Sequence, residues 1–241
     1  MSALHFDASW SEDVVLSDGS CVRLRPVRPD DKEAIAGGLA RLSPESQYLR
    51  FFTSKPRLTD SELRYLTEVD GIEHFAIVCA LLEQGGTEGR GVGVARFVRS
   101  PEDPEVAEPA VVVVDELQGK GLGRVLMERL IQAAAERGVQ RFRSEFLAVN
   151  TPMKELLATL SPAAQFTPEG SLVVAEFPLH EPTAPATMTK WPIYEWLRLT
   201  AARAVEIRRS FGMLFDHDTV LGFLQRVRRE IAGDSDEPPK S

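Results

Sequence analysis

The sequence predicts an α/β (α+β) domain followed by a C-terminal helical extension. A run of valines, Val111 to Val114, enters a glycine-rich turn with Gly119, Gly121 and Gly123, and an amphipathic pattern leaves it through Leu122, Val125, Leu126, Leu130, Ala133 and Ala134. That is strand, loop, helix, with the period of apolar residues changing from a strand's to a helix's. The apolar run at 75–82, a glycine turn at 85–89 and a second strand-like run at 91–98 read as a hairpin at the centre of a sheet. Beyond residue 180 the strands stop and helical amphipathicity takes over.

The elements follow in order. Residues 22–27 alternate apolar and polar, as a half-buried strand does. Asp30 and Asp31 cap a helix running to about Leu39. Ser43, Pro44 and Ser46 start a second helix, with Ser43 as N-cap and proline at the first position. Thr59, Asp60, Ser61 and Glu62 open a third, to about Thr67. The glycines at 89–93 suggest a second phosphate loop, but no helix follows them, so they read as a turn. Residues 101–109 form a proline- and acid-rich loop, and 110–114 the strand feeding the key turn. The helix from Gly121 to about Arg137 stops at Gly138. A strand at 142–149, a helix at 153–160 with Thr151 as N-cap, and a last strand at 171–179 complete the domain. The predicted organisation is a lead-in at 1–20, a domain at 21–180, a linker at 181–189, a helical pair at 190–232 and a disordered tail at 233–241. The helical pair offers a surface for homodimer or partner contact, with core packing or dimer contact favoured over a membrane surface.

Composition narrows the function. The chain has 241 residues, 43% hydrophobic, with a formal net charge of −8. That argues against nucleic acid as a partner. No apolar run approaches the length of a transmembrane helix, and residues 1–13 lack the basic flank and apolar stretch of a signal peptide. Cys21 and Cys79 have no metal or redox spacing, so no metal site is expected and Cys79 reads as a core thiol. The expected location is the cytoplasm.

The glycine turn is the most informative segment. A P-loop requires Ser or Thr after its Gly-Lys pair, but Gly121 follows Lys120. The dinucleotide fingerprint needs Gly-x-Gly-x-x-Gly, whereas these glycines are spaced by two. Gln118-Gly119-Lys120-Gly121-Leu122-Gly123 instead resembles the pyrophosphate loop of the GCN5-related N-acetyltransferases (the GNAT family), whose signature Gln/Arg-x-x-Gly-x-Gly/Ala is met by Gln118, Gly121 and Gly123. The resemblance covers roughly residues 21–179. It implies a mixed, twisted sheet of six to seven strands flanked by helices, and acetyl-CoA as the bound donor. It further implies pantetheine contacts from the backbone of Val111, Val112 and Val113, and pyrophosphate contacts from Gly119 to Arg124. Lys120, Arg124 and the helix N-terminus would supply local positive potential for a polyanionic ligand.

Acetyl transfer to an amine needs a held donor, a deprotonated nucleophile and stabilisation of the developing oxyanion. Glu108, at the start of the valine strand, matches the general-base glutamate of many GNAT enzymes; its other reading is a solvated acid in a charged run with Glu102, Asp103 and Glu105. Pro109 departs from the family's usual apolar residue at the next position. Glu145 is the rival base, on the following strand. Asn150 resembles the asparagine that contacts the pantetheine arm, or else caps a helix. The tyrosine that many relatives carry in the next helix is missing from 152–160. Leu42-Ser43-Pro44-Glu45-Ser46-Gln47-Tyr48-Leu49-Arg50-Phe51-Phe52 resembles the Leu-Ser-x-x-Ser-x-Tyr-x-Arg-Phe segment of the bacterial Pat-type protein lysine acetyltransferases, and Asn150-Thr151-Pro152-Met153 their Asn-x-x-Met helix start. Tyr48 and the Arg50–Phe52 cluster would then wall the acceptor side. The expected function is N-acetylation of a protein lysine. Small-amine acetylation and non-turnover binding of acyl-CoA by a regulatory or scaffold protein are the alternatives.

Overall fold

The computed structural model describes residues 4–51 and 57–179. Strands β1 (Glu12–Val15) and β2 (Cys21–Pro26) lead to α1 (Lys32–Ala40), α2 (Pro44–Phe51) and α3 (Asp60–Thr67). β3 (His74–Leu82), β4 (Glu88–Arg99) and β5 (Val106–Val113) follow, then α4 (Leu122–Glu136), β6 (Arg141–Leu147), α5 (Thr151–Leu160), β7 (Gln165–Glu169) and β8 (Leu172–Pro178). The strands form one eight-stranded sheet in the order β1-β2-β3-β4-β5-β6-β8-β7. Every neighbouring pair is antiparallel except β5 and β6. That pair is joined by the long crossover through α4, the kind of connection that parallel neighbours require.

The sheet therefore has eight strands rather than six to seven. β1 comes from the segment read as a lead-in, which also buries Phe6 and Leu16. Its hold on the domain is polar as well: the Phe6 amide donates to Glu136 and Arg137 donates to the Phe6 carbonyl. The other added strand, β7, is a mostly exposed edge without apolar alternation. The helical pair, the linker and the tail lie outside the described residues, as does Phe52.

Alternation along β3 divides the interior. Phe75, Ile77 and Cys79 join the larger core with Leu122, Leu126, Leu130 and Ala133 of α4, while Ala76 and Val78 pack with Ile35 of α1 on the opposite face. Cys79 is a buried thiol, as its apolar surroundings suggested, and burial pushes its pKa up to about 12. Local chemistry sets most boundaries. Thr59 and Glu62 form the reciprocal cap of α3, the Thr59 hydroxyl accepting from the Glu62 amide and the Glu62 carboxylate from the Thr59 amide. Gly138, at φ 80°, lets the chain turn after α4. One cap differs: Asn150, not Thr151, precedes α5, its Oδ1 accepting from the Met153 amide at 3.2 Å. β5 also starts earlier than alternation suggested, so Glu108 and Pro109 belong to the strand rather than to the loop before it.

Candidate active site

The site begins where β5 and β6 separate. Their parallel pairing holds only at Val106–Arg141 and Ala107–Phe142, after which the strands diverge as a fork. The Val114 amide donates to the Val92 carbonyl on β4, and this sets the phase of the β4–β5 ladder. The even residues of β5, Val112 among them, turn their amides and carbonyls to β4. Those of Val111 and Val113 face the fork. Pro109 stands at a fork-facing position, where an absent N–H removes nothing from the ladder. The Val113 carbonyl is covered by the Gln118 side chain at 3.0 Å. Of the valines expected to offer backbone contacts, Val111 and Val113 have fork-facing amides; Val112 turns its side chain to the opposite face instead, where it lines a cavity.

Past the valines the chain makes a 3-10 turn at Asp115–Leu117 and then the glycine loop. Gly119 (φ 70°) and Gly121 (φ 90°) adopt left-handed backbone, with nothing within 4 Å of where a Cβ would stand. The space beside the loop at the mouth of α4 is thus open at these two glycines, a property an anion cradle needs. Gly123 lies in the first turn of α4, and Leu122 sends its side chain into the core, leaving only its amide for a ligand. Lys120 pairs with Asp18 at 2.8 Å, and its carbonyl accepts from Ser17, which ties the loop to the β1–β2 turn. Arg124 is the more exposed cation, paired among the described residues with Glu128 one turn on. The residues present fit a diphosphate in the loop's backbone amides and in Arg124; Lys120 would have to leave Asp18 to contribute.

Gln118 also meets α2, its Nε2 donating to the Ser46 hydroxyl at 3.2 Å. Asp115 completes the junction. Its carboxylate accepts from the Ser43 amide (2.9 Å), the Ser43 hydroxyl (2.7 Å) and the Ser46 hydroxyl (2.8 Å). These bonds hold its pKa down against the cost of burial. Asp115 was absent from the sequence-based candidates. The paired serines of α2, two hydroxyls needing one partner, were the signal that could have found it.

Glu108 lies on the face of the sheet covered by α1, α2 and α3. Burial pushes its carboxyl up to about 8, with Glu145 adding in the same direction and Arg50 and Arg143 opposing. Glu145 is raised too, mainly by burial and with Glu169 adding, so both rival bases are shifted the same way. Arg50, which acts on Glu108, also lines a mostly apolar cavity of about 90 Å³, with Ile35, Leu39, Phe51, Val94, Val112 and Arg96. Arg96 donates to the Leu66 carbonyl and contacts His74 Nε2 at 3.0 Å. Burial brings the His74 pKa down to about 4, so at neutral pH its ring is uncharged beside the cation. Tyr65 packs against that ring, with centroids 4.9 Å apart. Asn150 is buried, and with its Oδ1 used by the cap only Nδ2 could reach a ligand carbonyl. Among the described residues no group of three or more His, Cys, Asp or Glu could hold a metal, and no helix is long and apolar enough to cross a membrane.

Residues 44–160 match the acetyltransferase (GNAT) family, which takes in α2, the fork, the glycine loop and α5. Acetyltransferase PA5475 of Pseudomonas aeruginosa is 33% identical over 165 residues, 68% of this chain and 86% of that relative. The chain belongs to the GNAT acetyltransferase family. The donor in this family is acetyl-CoA, and the open loop and splayed strands accord with that. Acetyltransferase Pat of Mycolicibacterium smegmatis is 38% identical over 147 residues, 61% of this chain; the match spans 43% of that relative's length. Among solved structures, the GNAT domain of S. lividans PAT superposes with a TM-score of 0.63 at 30% identity, covering 72% of this chain and 99% of that one. The structure of yncA from Salmonella typhimurium with acetyl-CoA shares the GNAT fold, with a TM-score of 0.52 at 22% identity, covering 69% of this chain and 99% of that one.

Proposed function

We propose that this chain transfers the acetyl group of acetyl-CoA directly to the ε-amine of a protein lysine, with Glu108 as general base. The observation that carries this reading is the raised pKa of Glu108, about 8, on a strand that also turns the amides of Val111 and Val113 into the fork. A lysine side chain arrives as an ammonium of pKa about 10.4 and is not a nucleophile until it loses a proton. An ordinary carboxylate is too weak a base for that task, and one raised toward 8 is better matched. The donor supplies an activated carbonyl carbon and a thiol leaving group. Glu108 takes a proton from the ammonium, directly or through one water, and the freed nitrogen bonds to the carbonyl carbon as the C–S bond breaks. The nitrogen, cationic once bonded, releases its second proton to solvent to leave the neutral amide. The thiolate takes its proton from solvent, which suits a thiol pKa near 8.5 and a helix at 152–160 without tyrosine. The Val111 amide is available to donate to the carbonyl oxygen as negative charge develops there. The likeness to Pat-type relatives supports a protein lysine as the acceptor.

The test is thiol release from acetyl-CoA with a panel of lysine peptides, together with mass spectrometry of the products. Acetylated ε-amines in the wild type, lost with Glu108→Gln, are the expected result. A second reading, acetylation of a small amine, draws on the small, mostly apolar cavity lined by residues of α1 and α3. Turnover of free amines but of no peptide would select it.

A further inference from the structure

The cavity that Arg50 lines has a charge problem. Its wall is mostly apolar, from Ile35, Leu39, Leu42, Phe51, Val94 and Val112, yet two arginines, Arg50 and Arg96, also line it. Burying a cation without an anion is costly, and proteins pair such groups or neutralise them. Among the described residues Arg96 has uncharged hydrogen-bond partners, the Leu66 carbonyl and the His74 ring. The Nε of Arg50 is shut off from solvent and has no hydrogen-bond partner among the described residues. Its guanidinium rests against the Phe51 ring, 5.2 Å from the centroid. The acids on this face, Glu108 and Glu145, are both shifted toward their neutral forms by burial. Arg143 adds a further positive field at Glu108. Among the described residues neither Arg50 nor Arg96 forms a salt bridge with an acid. A small, mostly apolar cavity whose lining includes an underused arginine suits a short aliphatic arm tipped with a carboxylate.

We propose that this cavity is a carboxylate subsite, in which Arg50, supported by Arg96, receives a carboxylate brought by one of the two reactants. The proposal rests on the reading that the reacting amine meets the donor beside Glu108. The carboxylate has two sources: an acidic side chain next to the acceptor lysine, or the far end of a dicarboxylic acyl chain on the coenzyme A donor. In either case Arg50 acts as a specificity residue, and the bonds made and broken are those of the transfer described above.

The experiment compares the wild type with Arg50→Gln and Arg50→Lys, each first checked for an unchanged melting transition. One arm measures kcat/KM with acetyl-CoA for two lysine peptides differing only by glutamate or glutamine beside the lysine. The other uses a neutral peptide with succinyl-CoA or butyryl-CoA as donor. Equilibrium binding of the same peptide pair to the coenzyme A complex, by fluorescence anisotropy, gives a readout that needs no turnover. The expected result is a tenfold or greater preference for the charged member of one pair in the wild type. That preference falls to near unity in Arg50→Gln and is partly kept in Arg50→Lys; which pair responds identifies the source. No preference in either kinetic arm or in binding, or a preference that survives Arg50→Gln, would overturn the proposal. Acetylation failing on every peptide while the charged peptide still binds preferentially would sink the lysine reading and leave the subsite standing.

Discussion

Replacing Glu108 by glutamine removes the base while keeping the shape and hydrogen-bonding capacity of the side chain. The size of the effect follows from the buried position of that carboxyl. With a pKa of about 8 it is about one-tenth ionised at pH 7 and about nine-tenths ionised at pH 9, so base-dependent turnover should climb roughly tenfold over that interval. The acceptor ammonium titrates as well, but dividing the wild-type profile by the Glu108→Gln profile cancels its contribution. The ratio should show one inflection near pH 8 and reach about 10²- to 10⁴-fold on the alkaline side, the usual worth of a positioned base. Stability moves the other way. A carboxyl raised from 4.5 to about 8 contributes stability that is complete below 4.5 and is lost as pH rises through 8. Glutamine has no such loss, so the variant should gain on the wild type by about 1.4 kcal/mol per pH unit across that window. Thiol-release kinetics from about pH 6 to 9, with chemical denaturation at matched pH, measure both. A rate ratio that stays flat with pH, or a variant within about threefold of the wild type throughout, would refute the assignment of the base.

Other consequences are sharp enough to measure. Gly121→Ala should lower stability by about 1–2 kcal/mol from its left-handed φ, and weaken coenzyme A binding by calorimetry, because the new methyl enters the open space in front of the loop amides. Asp115→Ala should cost about 1 kcal/mol of stability by removing the partner of Ser43 and Ser46, and should raise the KM for acceptor as well as donor, since that carboxylate joins the loop to α2. His74 is held neutral to about pH 4, so its contribution to stability is present above 6.5 and lost as pH falls toward 4, by about 1.4 kcal/mol per unit. Acid denaturation of His74→Gln should lack that dependence.

The strand, glycine loop and helix were legible because each signal is local. β-branched residues favour a strand, alternate glycines favour left-handed turns, and a period of 3.6 marks the helix that follows. The starts of α2 and α3 were legible for the same reason, through Ser43, Pro44, Thr59 and Glu62. Edge strands were not: β1 and β7 are short, half exposed, and held by their partners more than by their own residues. The true start of β5 was hidden by Pro109, which ordinarily argues against a strand and is tolerated here only because its missing donor faces the fork. Glu108 could be read from its distance to the loop. Its neighbours could not, since Arg50 reaches it from α2 and Arg143 and Glu145 from β6, elements well separated in the chain, and nothing in their local sequence encodes that meeting. Asn150 shows the limit of motif reading: both roles considered for it use the same side chain, and the cap claims its oxygen.

Pro109 has a consequence for how the protein waits between turnovers. Two parallel strands left side by side tend to zip, and each amide gained would have to be surrendered again before a substrate could enter. An imino acid at the crotch denies that zipper its first tooth. The slot is held open by what the backbone lacks rather than by anything a ligand must push aside, so admitting the donor requires no prior unpairing of the sheet.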